Sequence, residues 1–428
     1  MIRSCMSLAA ASLVCIAITI GGVSAADTPM LVGGGETMGS TYMVKVYDPP
    51  KGFPEDWQLR VDAELRLITD QMSTYTDNSE ISRFNASTSL EWFDVSRDLA
   101  LVVSRAQEIS KISGGAFDIT VSPLVKAWSF GPSKKRNVPP SDDEIASLRP
   151  LVGYANIEAR LEPPGLRKKI PGVTIELNAI APGHGADRLV DLLAGLGAEN
   201  LFVEVGGEVR VTGDKGGQPW TVGIQQPDVE GQVVAVAYPL KDQSVATSGD
   251  YRSFFEYEGK RYSHTIDPRT ARPITHNLAS VTVLADDCMS ADAIATTLCV
   301  LGEVDGLKFA NDQGIDALIM VRDLDGKITK LASGDFKSAI AEPTETVALP
   351  APESQDFLAR FLPIAAICFV AFLGVIGAMA VGVMFGRRSI SGSCGGLANK
   401  REPDGSISCA LCSNPDNACK DLRDRMQK

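Results

Sequence analysis

The chain has 428 residues, 44% hydrophobic and 22% charged, enough to bury one large core or two ordinary ones. A formal net charge of -12 repels a phosphate backbone, and the long central region has no basic or basic-aromatic stripe, so no nucleic-acid partner is expected.

The first segment, MIRSCMSLAAASLVCIAITIGGVSA, sets Arg3 before an apolar run and ends in the small residues Val23-Ser24-Ala25, the pattern of a cleavable signal peptide over residues 1–25. Cys15 lacks the small residues that precede a lipidated cysteine, so ordinary cleavage is expected; a plain membrane anchor is the alternative.

Between residues 30 and 335, β-rich runs alternate with helical periodicity. Strands are predicted in TYMVKVYD, GVTIEL, NLFVEVGGEVRVTG, PWTVGIQQP, VAVAYPL, ASVTVLA and DALIMVRD, where Val and Ile are enriched and turn residues intervene. Helices are predicted over 56–70, 96–113, 186–196 and 290–301, the second and last opening on a serine cap. Consecutive strands joined by short turns favour an α+β domain over residues 26–338, with mixed or mostly antiparallel sheets and packed helices.

Residues 339–360 read as a Pro/Glu-rich linker, and 361–385, FLPIAAICFVAFLGVIGAMAVGVMF, carry no charge. As a helix that run spans roughly 37 Å, enough for a transmembrane helix across a core of about 30 Å. Arg387 and Arg388 follow at once, while Glu353 and Asp356 precede it. Positive-inside bias then predicts a single-pass protein of the bacterial inner (cell) membrane, with a periplasmic body and a cytoplasmic tail over 386–428.

Cysteine usage fits that division. The body keeps Cys288 and Cys299, which would lie roughly 16 Å apart along one helix and so are expected as buried free thiols. Cys394, Cys409, Cys412 and Cys419 crowd the tail, where a reducing compartment keeps thiols available to iron or zinc. A loose tail with incidental cysteines is the alternative.

Chemistry enters with SADAIATTLC, residues 290–299, where Asp292 and Thr296 stand at i and i+4 on one helical face. An acid in a first turn also simply complements the helix dipole. No Walker A loop occurs, and LVGGGETMG precedes a strand instead of opening a helix, so phosphate chemistry needs another charge carrier. Two hard oxygens suit Mg²⁺. His264, in SHTIDPRT, is a proton carrier or a structural hydrogen-bonder. Asp118 follows a double glycine in GGAFDIT, where backbone can approach a ligand closely, and VEVGGEVRVTG repeats the theme inside a predicted strand, as a bulge or a ligand approach.

Eight segments in order carry a resemblance: MGSTY (38–42), MSTYTDNSEISRFN (72–85), GGAFDITVSPLV (114–125), ELNAIAPGHGADRL (176–189), VEVGGEVRVTG, ATSGDYRSFF (246–255), YSHTIDPRTARPI (262–274) and SADAIATTLCVLG (290–302). Over residues 30–335 the chain resembles the FAD:protein FMN transferase (ApbE) family. The resemblance implies a Mg²⁺-dependent transferase that cleaves the pyrophosphate of FAD, attaches FMN to a threonine or serine of a target flavoprotein, and releases AMP. It implies Mg²⁺ bound by the side chains of Asp292 and Thr296 and the carbonyl of Ala179. Met38, Tyr75, Ala116, Phe117, Asp118, Glu176 and His264 would line the FAD site, with His264 positioning or deprotonating the acceptor hydroxyl.

Members often carry Asp and Lys in the segment matching ELNAIAPG, where this chain has Glu176 and Pro182. Glu keeps the carboxylate at longer reach, whereas Pro182 takes away a cation that the cofactor would meet. His184 and His276 match no role and are read as structural. Water in place of the acceptor hydroxyl would make the chain an FAD pyrophosphatase, and flavin binding alone would make it a membrane-anchored flavin chaperone.

The membrane span with GRRSISGSCGGLA and the tail cysteines resembles the small membrane maturation factor of the sodium-translocating NADH:quinone reductase, over residues 358–428. That resemblance implies iron delivery to a reductase whose own subunits carry FMN on threonine, and so names those subunits as acceptors.

Overall fold

The computed structural model describes residues 28–130, 137–227, 233–249, 254–323, 325–341, 400–401 and 407–408. The chain divides into two compact units, Met1–Leu349 and Pro350–Lys428. In the second, β18 (Lys400–Arg401) pairs antiparallel with β19 (Ile407–Ser408). The span predicted over 361–385, the four tail cysteines and the signal peptide predicted over 1–25 lie outside the described residues. Among the described residues, no helix is long and apolar enough to cross a membrane.

The first unit opens with a hairpin, β1 (Met30–Thr37) and β2 (Ser40–Tyr47). Helices α1 (Trp57–Met72) and α2 (Glu80–Ala86), strand β3 (Phe93–Asp94) and helices α3 (Arg97–Ile112), α4 (Ser122–Ala127) and α5 (Asp142–Leu148) follow. The hairpin β4 (Ile157–Leu161) and β5 (Pro164–Lys168) then leads to α6 (Ala181–Gly195). A strand-rich stretch comes next: β6 (Asn200–Val205), β7 (Glu208–Thr212), β8 (Trp220–Gln225), β9 (Val234–Leu240), β10 (Ser244–Gly249), β11 (Phe254–Tyr257), β12 (Lys260–Ser263), β13 (Ile266–Asp267), β14 (Arg272–Pro273) and β15 (Leu278–Ala285). The long helix α7 (Cys288–Gln313), β16 (Asp316–Arg322), β17 (Ile328–Ala332) and α8 (Phe336–Ala341) complete the unit.

Eight strands form one sheet in the order β1-β2-β6-β7-β10-β15-β16-β17, and every pairing in it is antiparallel. The α+β expectation is met. Period-two alternation divides the side chains between two cores. Val44, Val46, Leu201, Val203 and Val205 pack against α1 and α6, while Phe202, Val209 and Val211 pack with Trp220, Ile224 and Phe336 on the opposite face. Strand β15 is buried along both faces, which is why LASVTVLA carries no charge and only the small polar residues Ser280 and Thr282. Its α7-facing side chains meet Ala291, Ala295 and Leu298. These small residues let the helix lie close to the sheet.

Several boundaries differ from expectation. GVTIEL is no strand: Asn85 bonds both the N–H and the C=O of Ile175 at 2.8 Å, and Glu176 N–H donates to the Ile119 carbonyl at 2.8 Å. A side chain and a loop satisfy this backbone, so no ladder forms. NLFVEVGGEVRVTG is a hairpin, β6–β7, since Val205 pairs with Glu208 across Gly206 and Gly207, both at positive φ (68° and 106°). The glycines make a turn and not a bulge; the alternative expectation, a backbone that a ligand can approach, fits their place in the lining of a cleft.

Helix α6 starts five residues early, with Pro182 in its first turn, where the missing N–H costs nothing. The N-cap of α7 is Asp287, which accepts from Ser290 N–H, and not the expected serine. The helix continues to Gln313 through a break at Gly302 (φ 79°). Cys288 and Cys299 are buried thiols, neither in a disulfide.

Candidate active site

A cleft of about 510 Å³ collects residues that are far apart in sequence. The turn after α3 supplies Ala116, Phe117 and Asp118, and the extended segment before α6 supplies Glu176, Asn178 and Ala179. The same cleft is lined by Gly206, Gly207 and Glu208 of the β6–β7 hairpin, Thr247 and Ser248 of β10, His264 of the β12–β13 link, and Asp292 and Thr296 of α7. Eight of the ten body residues predicted for the site therefore share one cavity.

Met38 and Tyr75 lie elsewhere. Met38 lines a smaller hollow of about 290 Å³ with Asp62, Leu65 and Arg66. It holds φ at 50° in the two-residue β1–β2 turn. A non-glycine residue held there marks stored backbone strain. Tyr75 is 63% exposed. His184 and His276 do not line the cleft; burial pushes the His184 imidazole down, which keeps it neutral.

The site's electrostatics are one-sided. Asp118, Glu176, Glu208 and Asp292 line the cleft, and among its described lining residues there is no Lys or Arg. Asp118 is already committed: Oδ1 accepts from the N–H and hydroxyl of Thr120 (2.8 and 2.6 Å), and Oδ2 from Tyr154 N–H (2.7 Å). It shapes the loop. Burial pushes the Glu176 carboxyl up to about 7, against a small opposing pull from Lys126. Near neutral pH it can therefore donate a hydrogen bond. Burial also raises Asp292, helped by repulsion from Asp187 and opposed by the Gly183 N–H.

Asp292 Oδ2 accepts from Gly183 N–H at 3.2 Å, and its Oδ1 makes no hydrogen bond among the described residues. Thr296 shares a hydrogen bond with Ser248 across 2.9 Å between hydroxyl oxygens. With Ala179 lining the same cleft, its carbonyl and these groups offer a hard divalent cation a carboxylate, a hydroxyl and a backbone oxygen. Among the described residues no three His, Cys, Asp or Glu side chains gather, so a cation here rests on this mixed set. The donors fit Mg²⁺ by type and by the excess of negative charge around them.

His264 is half-buried, with its ring edge-on to Phe130 at 6.3 Å between centroids. Phe130 in turn packs on Phe255 at 5.4 Å. Sequence reasoning singled out neither Phe130 nor Glu208, Asn178 and Ser248. The last three sit inside segments that had been recognised, but nothing in their spacing distinguished them from neighbours.

Comparison with known proteins places this geometry. The ApbE family model matches residues 38–319. The FAD:protein FMN transferase of Vibrio cholerae serotype O1 is 41% identical over 310 residues, covering 72% of this chain and 92% of that protein. The one from Haemophilus influenzae is 38% identical over 314 residues, covering 72% and 91%. Among solved structures, the flavin transferase ApbE from Vibrio cholerae superposes with a TM-score of 0.67 at 39% identity, over 73% of this chain and 99% of that one. The apo form of the Pseudomonas stutzeri flavinyl transferase ApbE gives 0.67 at 34% identity, over 74% and 98%. With the family model matching more than half of its residues, this chain is a transferase that belongs to the ApbE family.

Proposed function

We propose that the chain is a Mg²⁺-dependent FAD:protein FMN transferase acting on a threonine or serine of a flavoprotein. The observation that carries this reading is the acid-lined cleft, which gathers Asp292, Thr296, Ala179 and His264 and offers no Lys or Arg among its described lining. A dinucleotide pyrophosphate is repelled there unless a cation comes with it.

Bound at Ala179, Asp292 and Thr296, Mg²⁺ would neutralise phosphoryl oxygens as charge builds in the transition state. Asp292 is steered by the Gly183 N–H and Thr296 by the Ser248 hydroxyl. Protonated Glu176 donates to an acceptor atom of the flavin nucleotide, and Phe117 with Phe130 forms an apolar wall. Met38 and Tyr75 hold the part of FAD that reaches beyond the cleft. His264 takes the proton of the acceptor hydroxyl as its oxygen bonds to the FMN phosphorus. The bridging P–O bond breaks, and AMP leaves with that oxygen.

The same reading extends along the chain. Residues 1–25 are an export signal, 26–338 the transferase domain, 339–360 a linker, 361–385 a membrane span and 386–428 a cytoplasmic tail, which leaves the catalytic domain in the periplasm. The acceptors are subunits of a membrane-bound, sodium-translocating NADH:quinone reductase, and Cys394, Cys409, Cys412 and Cys419 handle iron for the same complex. The tail reading rests on thiol spacing and the SGSCGGLA segment.

The test incubates the purified chain with FAD, Mg²⁺ and a flavoprotein acceptor and looks for covalent, fluorescent FMN on the acceptor. Asp292→Ala is expected to lose nearly all labelling while FAD still binds. Wild-type turnover in that variant would sink the metal assignment. Tight FAD binding in excess chelator without AMP would point to a flavin chaperone. For the tail, serine at all four cysteines should cost the reductase its iron centre with flavin attachment intact; full iron loading would show the tail is dispensable.

A further inference from the structure

We propose that Asp187 and Arg210 form a positioning latch for the cation site, an inference that rests on the Mg²⁺ reading above. Helices α6 and α7 must be held in a fixed relation, because the Ala179 carbonyl lies just before α6 and Asp292 lies in the second turn of α7. Two features fix it. Gly183 lets the helices meet so closely that a Cβ there would fall 2.3 Å from the Cys288 carbonyl oxygen. One turn further along α6, the buried Asp187 reaches across the joint.

Its Oδ1 accepts from Cys288 N–H and its Oδ2 from Met289 N–H, both at 2.9 Å. These are two of the donors that an isolated helix start leaves without partners. Asp287 serves the next two, Ser290 N–H through its side chain and Ala291 N–H through its carbonyl. So α7 is capped twice, once by its own residue and once by its neighbour. Arg210, from β7, holds Asp187 from the sheet side, its Nη1 donating to Oδ1 at 2.5 Å. The sheet, α6 and α7 therefore meet at one carboxylate, which grips α7 four and three residues before Asp292, and neither Asp187 nor Arg210 lines the cleft.

An ordinary helix cap would explain stability alone. A latch predicts more, since groups behind metal ligands set ligand orientation and their loss typically weakens binding about 10–100-fold. Asp187→Asn keeps the shape but turns one acceptor into a donor facing Met289 N–H. Arg210→Lys keeps the charge and both backbone bonds but loses the planar grip.

Mn²⁺ alone is the probe, titrated into the purified full chain and followed by its EPR signal; it favours oxygen over thiolate donors, so the tail competes little. Unfolding midpoints are recorded in parallel. Asp187→Asn is expected to weaken Mn²⁺ binding about 10–100-fold, with Arg210→Lys weakened in the same direction. If Asp187→Asn fails to fold, Arg210→Lys alone decides. Folded variants with a lower midpoint and wild-type Mn²⁺ affinity would reduce the pair to a structural cap and overturn the latch alone. A wild type that binds no Mn²⁺ overturns the cation reading and the latch together.

Discussion

Alanine normally stabilises a helix relative to glycine by about 1 kcal/mol, yet Gly183→Ala in α6 should do the reverse. The new Cβ would sit 2.3 Å from Cys288 O and 2.9 Å from Met289 Cα. Ordinary contact needs about 3.5 Å, so α6 and α7 must part by on the order of 1 Å. Overpacking of this kind costs about 1–3 kcal/mol, and stretching the Gly183 bond to the buried Asp292 carboxylate adds about 1.5–3 kcal/mol. Net of helix propensity, a loss of about 1.5–5 kcal/mol is expected, a fall in Tm on the order of 3–10 °C. A 1 Å displacement of Asp292 should also cost about 100-fold in FMN transfer. The control lies in the same helix: a Cβ at Gly195 meets nothing within 4 Å, so Gly195→Ala should gain about 0.5–1 kcal/mol and keep full activity. Thermal melts and transfer rates of the two variants, side by side, decide the matter. Equal melts and equal rates would show that the joint tolerates slack and that Asp292 is not held by it.

Glu176→Gln tests the buried carboxyl through pH. In the fold this group keeps its proton to about 7, whereas the unfolded chain releases it near 4.5, so its burial costs stability progressively as pH rises between those values. Without metal or FAD, the Gln variant should be more stable than wild type by about 3 kcal/mol at pH 8 and nearly equal at pH 4.5, read by denaturant unfolding; an increment that ignores pH would be the wrong result. Chelator should stop labelling and weaken FAD binding together, because the acid-lined cleft then faces the pyrophosphate unshielded, and added Mg²⁺ should restore both. FAD affinity indifferent to chelator would contradict this. Lys168 is 1% exposed and donates to the carbonyls of Asn85 (3.0 Å) and Ser87 (2.7 Å) at the end of α2. Lys168→Met fills the same space but strands both oxygens, at about 2–4 kcal/mol in chemical denaturation; a loss below about 1 kcal/mol would mean that water replaces the ammonium.

Elements whose stability comes from side-chain pattern were legible in the sequence. TYMVKVYD alternates because Tyr42, Val44 and Val46 are buried in turn, and α3 shows its Ser96 cap plainly, with Leu99 N–H on the hydroxyl at 3.3 Å. Elements fixed by partners were not. Strand β1 is MLVGGGET, with three glycines and no propensity, and it forms because its backbone pairs with β2 over eight residues. GVTIEL has propensity and forms no strand, because Asn85, some ninety residues away, takes the ladder's place. The site divides the same way. Asp292 and Thr296 were visible through helical spacing, but Glu208 and Ser248 owe their places to the sheet order β7-β10-β15, which sets them across from α7. Local chemistry can be read along a chain; convergence is a property of topology.

The central claim is that FAD cleavage and flavin attachment are one event on an acceptor hydroxyl. Single-turnover incubation of the chain with FAD, Mg²⁺ and acceptor, counting AMP released against FMN covalently bound, tests it most directly. One AMP for each attached FMN, with both lost together in His264→Asn, is the expected result. AMP released in excess alongside free FMN, at a rate that the acceptor does not change, would contradict it and make water the true acceptor.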